Sequence, residues 1–247
     1  MTIDLSADVG EGADDLPLFR FLSSVSVGCG AHAGDRRTME ACVVEAARLG
    51  VSVGAHPGYP DRANFGRVAM DMAPDDLAAT LTQQLRELTS ICRDHGVELR
   101  HVKPHGALYN QAATDPALAD VIARSIAGID RTLTFVGLAG SAMLAAAEAV
   151  GLRAGAEAFA DRRYRADGTL ASRGEPDALI DDPSQAAGQA LAIVRGDPIP
   201  TVDGDPIVLA AETICVHSDT PGAQAIARAV REKLEVNGVE VAPLAGR

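Results

Sequence analysis

Short runs of apolar and β-branched residues alternate along this chain with longer stretches of helical period. Strand-length runs fall at residues 3–7, 24–28, 51–54, 98–102, 133–136, 152–156 and 207–216. Between them, helical patterns cover residues 37–49, 74–95, 115–127, 140–150, 184–194 and 222–237. The last helix reads most clearly. Ala223, Ile226, Ala227, Val230 and Leu234 follow the i, i+3, i+4, i+7 spacing of one buried face, with Arg228, Arg231 and Glu232 off it. Pro74 and Pro116 stand where a first helical turn tolerates proline, and Asp115 is placed to cap the helix that Pro116 opens.

Strand followed by helix, repeated about seven times, predicts parallel strands joined by right-handed crossovers. An open doubly wound sheet would place a phosphate loop after its first strand. That position reads Asp8-Val9-Gly10-Glu11-Gly12, with two acids where a phosphate would sit. A closed α/β barrel is therefore expected. No low-complexity linker divides the chain, so residues 1–247 are read as one domain. Residues 161–182, rich in Arg, Asp and Gly, are expected to form a long loop over one end.

Composition narrows the function class. The 247 residues carry 22 Lys and Arg against 34 Asp and Glu, a formal charge of −12, with no basic run. A grip on nucleic acid or a polybasic membrane patch is not expected, since both need clustered cations. The N-terminus carries Asp4 and no basic segment before an apolar stretch, and no run approaches the roughly 18 apolar residues of a membrane span. The four cysteines (Cys29, Cys42, Cys92, Cys215) form no CxxC pair and read as free, mostly buried thiols of a cytoplasmic protein.

Four of the six histidines close strand-like runs: His32, His56, His105 and His217. Acids take the matching place elsewhere, with Asp8 and Glu11 after the first strand and Glu157 and Asp161 after the sixth. In parallel α/β folds the carboxyl ends of all strands lie on one face, where active sites assemble. These groups and Lys103 are therefore expected to converge from across more than 200 residues. His95 suits a helix C-terminus and His101 lies within a strand, so both read as structural. Flanking glycines suit close backbone approach to a small ligand.

Nucleophilic catalysis finds little support. There is no GxSxG elbow, and in His217-Ser218-Asp219 neighbours along a strand point in alternate directions. Two options remain open. One is a mononuclear metal site in which Asp8, His56 and His105 lower the pKa of a bound water. The other is general acid/base work by the same residues around a substrate carbonyl, with Lys103 or Arg162 holding a carboxylate.

Seven motifs then resemble one family. Asp4-Leu5-Ser6-Ala7-Asp8-Val9-Gly10-Glu11-Gly12, Cys29-Gly30-Ala31-His32-Ala33-Gly34-Asp35 and Gly54-Ala55-His56-Pro57-Gly58-Tyr59-Pro60-Asp61 resemble the LamB/YcsF family. So do Phe65-Gly66-Arg67, Lys103-Pro104-His105-Gly106-Ala107-Leu108-Tyr109-Asn110, Phe159-Ala160-Asp161-Arg162 with Tyr164, and Ile214-Cys215-Val216-His217-Ser218-Asp219-Thr220-Pro221. They run in order from about residue 3 to residue 243. The chain departs from the usual pattern at Ser218, where the family carries glycine, and at Ser6-Ala7, where many members carry asparagine.

The resemblance implies a (β/α)7-type barrel similar to the glycoside hydrolase/deacetylase superfamily. It implies a hydrolase of cyclic amide bonds, the A subunit of an ATP-dependent 5-oxoprolinase that opens 5-oxoproline to L-glutamate together with subunits B and C. The catalytic set carried over is Asp8, Glu11, His32, His56, Lys103, His105, Asp161, His217 and Asp219, with Arg67 and Arg162 binding substrate. The chain has no GxxxxGK[ST] loop, so ATP use is expected of the assembled enzyme. Two other readings are weighed: a metal-dependent deacetylase or amidohydrolase acting on a carbohydrate, and a scaffold that only binds the partner subunits.

Overall fold

Residues 1–12 and 14–244 are described by a computed structural model. Seven parallel strands close on themselves: β1 (Thr2–Val9), β2 (Ser24–Gly28), β3 (Ser52–His56), β4 (Leu99–Val102), β5 (Thr134–Leu138), β6 (Arg153–Phe159) and β7 (Thr213–Cys215). Each pairs with the next, and β1 pairs with both β7 and β2, which closes the barrel. A two-residue strand, β8 (Glu240–Val241), adds in parallel to Thr2 and Ile3 at the start of β1. The helices are α1 (Arg36–Leu49), α2 (Pro74–Asp94), α3 (Gly106–Thr114), α4 (Pro116–Ile129), α5 (Ala142–Ala149), α6 (Pro183–Arg195) and α7 (Ala223–Val236).

Local chemistry explains where these helices start and stop. The Asp35 carboxylate accepts the Thr38 N–H, Asp115 those of Ala117 and Leu118, and Asp182 that of Gln185. Pro74, Pro116 and Pro183 open their helices at positions whose N–H has no helical partner. Gly50 and Gly196 end α1 and α6 in the left-handed region, at φ of 70° each.

Alternation along β1 divides the core in two. Leu5, Ala7 and Val9 are fully buried in the apolar layer between strands and helices. Asp4, Ser6 and Asp8 alternate onto the barrel interior, where Asp4 accepts from Ser24 and Thr213, Ser6 meets Thr213, and Asp8 meets Lys103. A polar interior is tolerated because its members pair with one another across the barrel.

The expected barrel is present, with differences at particular elements. The run at residues 207–216 is a strand only over Thr213–Cys215, the residues that find β1 and β6 on either side. Ile207 instead bridges Ile199 outside the barrel, and Val208 is exposed. Strand β6 continues to Phe159, so Glu157, expected just past its end, lies within the barrel wall. Helix α3, the 3-10 turn Leu16–Phe21 and β8 went unpredicted; α3 is short and weakly amphipathic. Residues 161–182 lie over the carboxyl ends of the strands as expected, held by bridges such as Arg162–Leu179. No helix among the described residues is long and apolar enough to cross a membrane.

Candidate active site

The carboxyl ends of the strands surround a cavity of about 530 Å³ lined by Asp8, Glu11, His56, Lys103, His105, Tyr109, Phe159, Arg162, His217 and Asp219. Residues scattered from 8 to 219 meet there because parallel strands all present the same end. A second cavity, of about 680 Å³, opens at the opposite end of the barrel around Ser52, Arg93, Arg100 and Thr134.

On one side of the site, three lone pairs converge. His56 Nδ1 lies 2.8 Å from the Lys103 carbonyl and His105 Nε2 lies 2.8 Å from the Phe65 carbonyl. A carbonyl only accepts, so both nitrogens carry the proton. That leaves His56 Nε2 and His105 Nδ1, 3.0 Å apart, facing Glu11 Oε1, which is 3.6 Å from the first and 2.8 Å from the second. Two imidazole nitrogens and a carboxylate oxygen within 4.8 Å of one another make a donor set suited to a divalent cation. Backbone carbonyls already orient both rings, as they do for metal-ligating histidines. The expected set named Asp8 beside these histidines. Asp8 Oδ2 is 3.4 Å from His56 Nε2, and both Asp8 oxygens also contact Lys103, so Glu11 is the acid inside the cluster.

His32 supports the cluster. Its ring stacks on His105 with centroids 3.7 Å apart, and its Nε2 lies 2.6 Å from Glu11 Oε1. Burial acts against the Glu11 carboxylate, but contacts from His105 and His32 outweigh it and hold its pKa well below the ordinary range. Burial pushes His56 down to about 3, so it is neutral at physiological pH. The neighbouring glycines are required by this stacking. A Cβ on Gly58 would lie 2.8 Å from His32 Nδ1, and one on Gly66 would lie 2.8 Å from His32 Cβ.

Beneath the cluster, Lys103 Nζ sits 2.9 Å from Asp8, 2.7 Å from Glu157 and 3.2 Å from Cys215 Sγ. Burial disfavours the ammonium, yet Asp8, Cys215 and Glu157 raise its pKa well above the usual value. The two acids are driven apart. Burial raises Glu157, whereas at Asp8 the neighbouring His56 and Lys103 more than offset burial. Tyr109 donates to Glu157 at 2.7 Å.

Opposite the cluster, His217 Nδ1 lies 2.9 Å from Asp161, whose second oxygen accepts the His217 backbone N–H and the Thr220 hydroxyl. The carboxylate orients the imidazole and leaves Nε2 on the cavity side. Phe159 stacks on the same ring at 5.0 Å. At the rim, Asp219 pairs with Arg67 and Arg173, and Arg162 donates to the Ala171 carbonyl.

All eleven expected site residues border or support this one cavity. Tyr109, Phe159 and Arg173 were not marked as members from the sequence, and Glu157 was expected just past the end of the sixth strand. Tyr109 lies within the Lys103 to Asn110 motif and follows His105 by one helical turn, so it carried a signal. Arg173 carried none. His95 caps α2, and His101 lies in the barrel with Nε2 3.1 Å from Ser26.

The sequence profile of the LamB/YcsF family matches residues 3–247. A protein of Chloroflexus aggregans, named as the A subunit of 5-oxoprolinase, is 49% identical over 247 residues, with 98% of each chain covered. The crystal structure of a lactam utilization protein from Thermus thermophilus superposes with a TM-score of 0.92 at 39% identity, covering 99% of this chain and 100% of that one. A family 4 carbohydrate esterase from Streptomyces lividans, 12% identical, shares the fold at a TM-score of 0.55, covering 99% and 93%.

Proposed function

Since the chain belongs to the LamB/YcsF family, we propose that it is the A subunit of an ATP-dependent 5-oxoprolinase, opening the lactam of 5-oxoproline to L-glutamate with subunits B and C. The observation that carries this reading is the placement of a proton-accepting cluster and an Asp–His pair on opposite sides of one small cavity. A five-membered lactam is a stable amide. Its hydrolysis is helped when the lactam carbonyl oxygen is first phosphorylated, a step assigned to B and C at the expense of ATP. On this chain, addition of water and cleavage of the C–N bond give an acyl phosphate, which a second water converts to glutamate and inorganic phosphate.

With no cation bound, the Glu11–His56–His105 cluster takes one proton from the attacking water, and His217, entering as the imidazolium with Nδ1–H on Asp161, gives its Nε2 proton to the departing ring nitrogen. Asp161 orients His217 and stabilises the imidazolium that donates, leaving the neutral Nδ1–H tautomer after the transfer. Lys103 keeps Asp8 ionised, and Arg67 and Arg162 bind the phosphorylated substrate. A divalent cation held by Glu11, His56 and His105 would occupy these lone pairs in place of the proton and would supply Lewis-acid polarisation at the reacting carbon.

The test is glutamate release from 5-oxoproline by this chain alone and with B and C, with and without ATP. Glutamate is expected only from the complete, ATP-fed mixture. In that mixture Glu11→Gln, His56→Ala or His217→Ala should lower kcat by about 10²–10⁴. Unchanged activity in those variants would indicate a scaffold. The donor set of Glu11, His56 and His105 also suits a metal-dependent carbohydrate deacetylase. Acetate release from an N-acetyl sugar, with no glutamate from any mixture, would establish that reading instead.

A further inference from the structure

The rim of the cavity holds more cationic donors than a single carboxylate on the substrate requires. Arg67, after β3, and Arg173, in the loop after β6, both engage the carboxylate of Asp219, with Arg173 Nη1 at 3.2 and 3.3 Å. Arg162 is 5% exposed. Its Nη2 donates to the Ala171 carbonyl at 2.6 Å, while its buried Nε has no hydrogen-bond partner among the described residues. A buried donor without an acceptor is costly, and this one borders the same cavity as His56, His105 and His217. Arg173 lies near enough to Arg162 for the two cations to oppose each other. Asp161, the other acid close to Arg162, has both oxygens committed to His217 and Thr220. Arg67 and Arg173 therefore share one carboxylate, that of Asp219, and Arg162 has no carboxylate in ion-pair contact among the described residues.

We propose that Arg67, Arg162 and Arg173 form a phosphoryl-binding subsite, and that Asp219 occupies the Arg67–Arg173 fork as an internal anion until a phosphorylated substrate displaces it. A phosphoryl group offers three acceptor oxygens and up to two negative charges, which matches planar, multidentate guanidinium donors better than a lone carboxylate does. Asp219, Arg67 and Arg173 are each about one-third exposed at their side chains, so the fork is reachable from solvent. The assignment rests on the proposed function only for the identity of the molecule that carries the phosphoryl group. The cations and their shared carboxylate are features of this chain.

Titration calorimetry of the full chain with inorganic phosphate tests it. Asp219→Asn keeps the side-chain shape and removes the competing charge, so phosphate should bind about tenfold more tightly to it than to the unmodified chain. Arg173→Gln, at a solvent-accessible position, should weaken phosphate binding by about tenfold. Addition of 5-oxoproline should leave the phosphate affinity of Asp219→Asn unchanged. Phosphate affinity that is the same or weaker in Asp219→Asn, in protein with an unaltered circular dichroism spectrum, would overturn the proposal. Displacement of phosphate by 5-oxoproline, one for one, would assign the arginines to the substrate carboxylate and overturn it equally. Because phosphate binding is read on this chain alone, it stands or falls separately from glutamate release by the assembled enzyme.

Discussion

Asp15 illustrates how much one buried acid can do beside the site. Its Oδ2 accepts the Gly10 N–H at 2.7 Å, fixing the turn that carries Glu11, and the residue is 3% exposed. Burial pushes its pKa up from 3.8 to about 6, with the Ser218 hydroxyl working against the shift. Ser218, the position where the family usually carries glycine, stands near this acid. The sign of the linkage follows. Between about pH 4 and 6 the folded chain holds a proton that the unfolded chain has lost, so this stabilisation is full below pH 4 and disappears as pH rises through 6. Asp15→Asn keeps an acceptor for Gly10 and cannot ionise. Above pH 6 it should be more stable by about 2 kcal/mol, roughly 5 °C in Tm, with the difference vanishing near pH 4. Thermal melts at pH 4 and pH 7.5 read this directly, and a Tm gain of equal size at both would remove the titration from the explanation. Residues of this kind were not legible in the sequence. His32, His56, His105 and His217 were, because each closes a run whose end must lie on the functional face. Asp15 and Arg173 take their roles from neighbours that only the closed fold brings close.

Strand β3 gives way so that its neighbour can turn a large side chain inward. His101 on β4 points into the barrel toward Ser26 on β2, crossing in front of Gly54 on β3. A Cβ on Gly54 would overlap the His101 ring, which is fully buried and whose pKa burial lowers to about 4. Gly54→Ala should therefore cost about 3 kcal/mol or more through overpacking. His101→Ala in the same chain should restore part of that loss, because it removes the ring that the new methyl meets. The non-additivity, read by denaturant unfolding of both single variants and the double, is the measured quantity. Strict additivity would place the strain elsewhere. Period and caps made most elements readable from sequence, since Pro74, Pro116 and Asp115 act locally. Helix α3 and the true extent of β6 and β7 were not readable. Their limits are set by which residues find partners across the barrel, as Thr213 does with Asp4 and Glu157.

At the scale of the whole molecule, the two ends of the barrel do different work. Lone pairs and cations gather at the carboxyl ends of the strands, while the opposite end carries the closure. There Asp4 on β1 accepts hydrogen bonds from Ser23, Ser24 and Thr213, at 2.7, 2.7 and 2.6 Å. One carboxylate thus ties β1 to β2 and to the short strand β7, some 209 residues away in the chain. Such contacts are made only when the barrel is complete, so they stabilise the closed state and no open precursor. Burial opposes the Asp4 carboxylate, but Asp4→Ala would leave three buried hydroxyls to find new acceptors. It should cost about 3 kcal/mol, seen as a lower urea midpoint with an unchanged slope. Glutamate release per folded molecule, with B and C supplied, should stay the same, because Asp4 lies two inward positions below Asp8 and its hydrogen bonds go to Ser23, Ser24 and Thr213, none of which lines the cavity. Glu11→Gln should lose turnover in the molecules that remain folded. Stability at the amino ends and reactivity at the carboxyl ends is the division expected of parallel barrels. If Asp4→Ala lowered turnover of the folded fraction as well, the closure would be coupled to the geometry of Lys103 and Asp8, and the two ends would have to be treated as one unit.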